Sequence, residues 1–139
     1  MLVWGCAPKT KLVSLQSKQN KIIKIISNIN MREDARQAYK DLNLFNIDKI
    51  FIFQCAKFMY KFNNKLLPSI IDKLFPEIPH HIHTRSSLYN YQLPNIKTNF
   101  GRNSPSFFCI SIWNAIDNDI KGLPFRCFKS SIYDMLVLQ

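Results

Sequence analysis

Three glycines in 139 residues leave little material for a loop that cradles phosphate, and neither a P-loop nor a dinucleotide fingerprint occurs. No G-x-S-x-G nucleophile elbow is present, and no aromatic-x-Asp-Asp polymerase hairpin. Acids are scarce, 9 Asp and Glu against 19 Lys and Arg, which gives a formal net charge of +10. The four cysteines (Cys6, Cys55, Cys109 and Cys127) form no C-x-x-C pair and no disulfide framework, so they read as free thiols packed like small hydrophobes. No apolar run reaches the ~18 residues a spanning helix requires. The best stretch, Leu44 to Phe62, is broken by Asp48, Lys49, Lys57 and Lys61. Leu2 to Cys6 has no basic lead-in, and no Asn-x-Ser/Thr acceptor occurs. These absences predict an intracellular chain, neither secreted nor bound to a membrane.

Two groupings invite a metal. His80, His81 and His83 follow Pro79, but no Cys or acid stands at a spacing that would complete a zinc site, and they read as polar loop residues. Asp117 and Asp119 form a D-x-D pair that can hold a divalent ion, but two acids in an Asn-rich turn are usually a solvated loop. The expectation is no metal, no cofactor and no catalysis by this chain alone.

What the sequence has is hydrophobic mass, 47% of residues with 13% aromatic, and positive charge. That composition suits a folded domain rather than a disordered tail. The charge is uneven: residues 1–65 carry a net +8 and the rest +2. The predicted class is mainly α, one domain over residues 1–139. A basic helical half (1–75) leads into a Pro- and Asn-rich irregular segment (76–123) and a C-terminal helix (124–139).

Helix one is predicted over Lys9–Asn28. Leu12, Leu15, Gln19, Ile22, Ile23 and Ile26 would face the core, and Lys11, Lys18, Lys21 and Lys24 would face away from it. A short helix should follow over Glu33–Leu42, and a third from Asn46 to about Leu67, apolar nearly all round. The third helix has one polar seam, Gln54, Lys57, Lys61 and Lys65, stacked at intervals of three and four. Pro68 opens a turn of helix over Ser69–Phe75, and a last helix is expected over Pro124–Leu138. Leu88–Leu93 alternates weakly and Ser106–Trp113 is rich in Phe and Ile, which leaves room for a short β-hairpin.

A lysine-bearing helix face can neutralise backbone phosphates and bind nucleic acid without reading its sequence. The same face also serves as ordinary solvated surface. Trp4, Tyr89 and Tyr91 are candidates for stacking on bases, or else core. Residues 9–28 also fit an interfacial helix on anionic lipid, except that no Trp or Phe lies on the apolar face.

Several landmarks stand in a familiar order: Leu2-Val3-Trp4-Gly5, then Leu15 and Gln19 with Lys21-Ile22-Ile23-Lys24. Phe58-Met59-Tyr60-Lys61 and Leu67-Pro68 come next, then His83-Thr84-Arg85-Ser86, Ile112-Trp113-Asn114, Ile120-Lys121 and Phe128-Lys129. In this order the chain resembles the C-terminal region of non-LTR (LINE-type) retrotransposon reverse transcriptases, downstream of the catalytic palm. It departs from that pattern at Ala115-Ile116 and at Cys109-Ile110-Ser111.

The resemblance implies a thumb and post-thumb segment that grips RNA, DNA or an RNA–DNA hybrid, with polymerisation left to the absent palm. It also implies fold-specifying roles for Trp4, Gly5, Gln19, Thr84, Trp113, Asn114 and Phe128. Lys11, Lys18, Lys21, Lys24, Lys57, Lys61 and Arg85 are the expected nucleic-acid contacts. The competing expectation is a protein-interaction or structural module, or an unselected remnant, whose exposed apolar surface takes the palm or a second copy of the chain.

Overall fold

The computed structural model describes residues 4–75 and 90–138, and among these it is helical with no strand. A 3-10 turn at Trp4–Cys6 leads into α1 (Lys9–Ile26), α2 (Arg36–Asp41) and α3 (Ile47–Asn63), and a second 3-10 turn covers Ser69–Leu74. After the irregular stretch come α4 (Asn99–Arg102), α5 (Pro105–Asn114), α6 (Asn118–Lys121) and α7 (Phe125–Leu138).

Local chemistry sets the helix ends. Asn46 caps α3 by accepting a hydrogen bond from the Lys49 amide at 2.9 Å, and Asp48 adds negative charge to its first turn. Asp34 accepts from the Arg36 amide at 3.1 Å, so α2 starts at Arg36 rather than Glu33. With glycine so rare, three helices stop on residues that carry side chains. Asn28, Asn43 and Lys65 take positive φ of 52°, 51° and 54°. Behind each, an amide reaches back over the last turn: Ile29 to the Lys24 carbonyl at 2.9 Å, Leu44 to Tyr39 at 2.9 Å and Leu66 to Lys61 at 2.8 Å. This is the Schellman stop, usually built on glycine. It ends α3 at Asn63, short of the expected Leu67, and turns Lys65 out of the polar seam.

The stretch expected to offer a strand is α5. Ser104 accepts from the Phe107 amide at 3.3 Å and Pro105 occupies the first turn, a start signal that outweighs the β-propensity of Phe107, Phe108, Ile110 and Ile112. Residues 90–93 are irregular; 88 and 89 lie outside the described residues.

α3 is the hub, packed against α5 on one side and α7 on the other, with the Trp4–Cys6 turn over its first half. Trp113, Phe128, Met59, Ile110, Ile132, Cys55 and Cys109 are completely buried around it. Rings interlock through this core: Tyr60 lies 4.5 Å from Phe128, Trp113 6.0 Å from Phe128, and Phe62 4.6 Å from Phe75, centroid to centroid. The Tyr60 hydroxyl donates to the Leu123 carbonyl at 2.7 Å, tying α3 to the turn before α7. A Cβ at Gly5 would overlap the Phe51 ring, so glycine here permits close approach of backbone to α3.

Candidate nucleic-acid interface

The two lysine groups differ in setting. On α3, Lys61 is exposed and Lys57 half-buried, each with its ammonium over a ring face: Lys57 sits 4.8 Å from the Phe53 centroid and Lys61 5.7 Å from Phe125. Lys129 of α7 faces them, a residue that the sequence offers only as part of the Phe128-Lys129 landmark. Its helix packs beside α3, and Arg126 extends the basic surface one turn earlier. Desolvation by these surroundings lowers the Lys57 pKa, and the like charges of Lys129 and Lys61 lower it further; no carboxylate pulls the other way. Among the described residues one ion pair is seen, Arg36–Asp34 at 3.3 Å, far out in solvent. The α3–α7 seam is thus a cluster of mutually repelling cations, two of them held over aromatic faces.

The α1 group is more divided. Lys11, Lys18 and Lys21 are exposed, but Lys24 folds back, half-buried, to donate to the Met31 carbonyl at 2.9 Å, and so leaves the expected face. The apolar stripe is divided too. Ile23 is buried and Leu12 and Gln19 partly covered, whereas Leu15, Ile22 and Ile26 are 40%, 57% and 62% exposed, against the expectation that all six face the core. The physical reason is that α1 docks through amides along a narrow line. Gln19 Nε2 donates to the Phe45 carbonyl at 2.9 Å, and Gln16 Oε1 accepts from the Ile47 amide at 3.0 Å. Contact along that line leaves the neighbouring apolar positions bare.

Beside this line lies a cleft of about 630 Å³, with Lys40 and Lys49 at its rim. Its polar floor is internally satisfied: Gln16 Nε2 donates to Asn20 Oδ1 at 2.7 Å and to the Tyr39 hydroxyl at 2.8 Å, and that hydroxyl donates to Asn20 Oδ1 at 2.8 Å. Burial raises the Tyr39 pKa, with the Gln16 hydrogen bond opposing it.

The remaining candidates separate clearly. Trp4 is 65% exposed, whereas Trp113 and Phe128 are fully buried. Asn114 holds Tyr91 as a strand would, accepting from its amide at 2.9 Å and donating to its carbonyl at 2.7 Å. The Tyr91 ring lies on Phe62 at 5.6 Å with its hydroxyl donating to Asn63 at 3.1 Å, so it is not presented for stacking. Thr84, Arg85, Tyr89 and the three histidines lie outside the described residues, among which no three His, Cys, Asp or Glu side chains gather as a metal site.

Lys121 is a residue that sequence reasoning treated only as a landmark. It is 2% exposed, with Nζ donating to Asn90 Oδ1 at 2.8 Å and Asn118 Oδ1 at 3.3 Å, 5.5 Å from the Trp113 ring. Burial lowers its pKa, with Asp117 opposing. Cys6, Cys55 and Cys109 are buried free thiols and Cys127 is an exposed one; hydrogen bonding to Cys109, then burial, pushes the Cys55 thiol up. Among the described residues no helix is long and apolar enough to cross a membrane. No family model matches the chain, and no curated protein or solved structure shows significant similarity to it.

Proposed function

We propose that this chain is a non-catalytic nucleic-acid-binding domain that grips backbone phosphates of RNA, DNA or an RNA–DNA hybrid without reading sequence. The observation that carries the reading is the α3–α7 seam, where Lys57, Lys61 and Lys129 are brought together with only like charges acting on Lys57. Such a cluster costs the fold electrostatic repulsion that a polyanion relieves, and each neutralised phosphate releases a counterion. Lys11, Lys18 and Lys21 add outlying positive charge. The ordered landmarks from Trp4 to Phe128 add the narrower proposal of a thumb and post-thumb piece of a non-LTR retrotransposon reverse transcriptase, in which polymerisation belongs to a separate palm. Such a piece would work where RNA and DNA are met, in the nucleus or the cytoplasm.

The test is fluorescence anisotropy against labelled RNA, duplex DNA and hybrid across a salt series. Converting Lys57, Lys61 and Lys129 to Gln should flatten the log K against log salt slope by about 2 to 3, with a melting temperature no lower than that of the unsubstituted chain. An unaltered slope, or no binding by the unsubstituted chain at low salt, would overturn the reading. A second reading, a protein-interaction module, is favoured by one specific observation: the bare apolar positions of α1.

A further inference from the structure

α1 carries a second ordered surface. Lys11, Leu15, Lys18, Ile22 and Ile25 follow one another at steps of four, three, four and three, the seam spacing of a helix that pairs with another helix. All five are exposed, Ile25 at 66%, and the likewise exposed Ile26 widens the seam. At its N-terminal end a notch of about 280 Å³ opens between Trp4, Ala7, Leu12 and Leu15, with Lys11 and Lys18 at its edge. Lys21 flanks the line, and α1 contains no Asp or Glu.

We propose that this seam docks an acidic amphipathic helix of another protein, whose apolar residues pack on Leu15, Ile22 and Ile25 and whose carboxylates meet Lys11 and Lys18. Charge selects this occupant. A second copy would bring lysines against lysines between two chains of net charge +10. A bilayer would have to take in Lys11 and Lys18 along with the apolar residues, because both lie in the line of the stripe rather than at its margins. A phosphate backbone offers nothing for the isoleucines. The notch adds a concave seat for one large apolar side chain, the kind of anchor that concentrates binding energy.

The probe is a labelled synthetic peptide of three heptads, leucine at its core positions and glutamate beside them, with a scrambled peptide of identical composition as control. The patterned peptide should bind at least about tenfold tighter than the scrambled one. Ile22→Gln with Ile25→Gln should remove that advantage while circular dichroism and RNA affinity stay unchanged, which separates this proposal from the phosphate-binding one. Lys11→Glu with Lys18→Glu should weaken the acidic peptide and transfer preference to a lysine-flanked version. Equal binding of scrambled and patterned peptides, or indifference to either double substitution, would overturn the proposal. So would binding to phosphatidylserine vesicles, or a sedimenting dimer, that the isoleucine changes abolish while the peptide is ignored.

Discussion

α1 and α3 are nearly the same length, both bear lysines and both are rich in Ile, Leu or Phe, yet they live differently. α3 buries Ile47, Phe51, Cys55, Ala56, Met59 and Tyr60, whereas α1 buries Ile23 alone. α3 is flanked by α5 and α7, so most of its apolar content is covered, while Asp48 and Lys61 meet solvent and Gln54 and Lys57 are half-buried. α1 has α2 and the start of α3 as neighbours, and amides make the contact. Hydrophobic periodicity therefore reports that a helix forms and which face it offers. Whether that face is taken depends on elements distant in sequence.

The sharpest way to break this comparison is to truncate one large residue in each setting. Trp113→Ala, in the shared core under α3, should cost about 3 to 5 kcal/mol and leave the chain unfolded or near it. Ile22→Ala on α1 should shift the urea midpoint by less than about 0.5 kcal/mol equivalent. A large loss at Ile22 would mean that α1 is packed far more closely than its exposure indicates. A smaller effect concerns Lys65, whose left-handed conformation strains a side chain where glycine fits freely. Lys65→Gly should raise stability by about 1 kcal/mol, read by chemical denaturation, with the α3 end unchanged.

The subtlest test is at Lys121. Because its pKa is lowered in the fold, between that value and the ordinary lysine value of about 10.4 the unfolded chain holds a proton the folded chain has released. Stability should rise with pH through this window and be lowest below it. Denaturation midpoints of the unsubstituted chain and of Lys121→Met, compared up to pH 10.5, should therefore diverge in favour of the former as pH rises. Parallel curves would show that the ammonium is better solvated by Asn90 and Asn118 than its burial indicates.

Much of the helical body was legible because its signals are local. The opening of α3 at Asn46, the Lys9 start of α1 and the position of α7 follow from first-turn charge, proline placement and periodicity within a few turns. α5 does not stand out in the sequence because it is apolar all round, so a 3.6-residue period is weak and its β-branched and aromatic content suggests a strand; the Ser104-Pro105 start is the local signal that marks the helix. Lys57 and Lys61 were recognisable as a seam on one helix. Lys129 could not be joined to them, because only the packing of α7 beside α3 brings it there. The same limit explains α1: its stripe was plain in the sequence, but its half-covered state is a property of neighbours.

The contrast in thiol exposure makes the molecule its own labelling handle. Of the four cysteines, Cys127 is the one open to solvent, and it sits on α7 between Arg126 and the Phe128–Lys129 pair. A maleimide dye should attach there first without substitution elsewhere, placing a reporter beside the cations proposed to meet phosphate. Air oxidation would meanwhile join two chains through that helix, so a reducing agent decides whether the protein is handled as a monomer or as an artefactual pair.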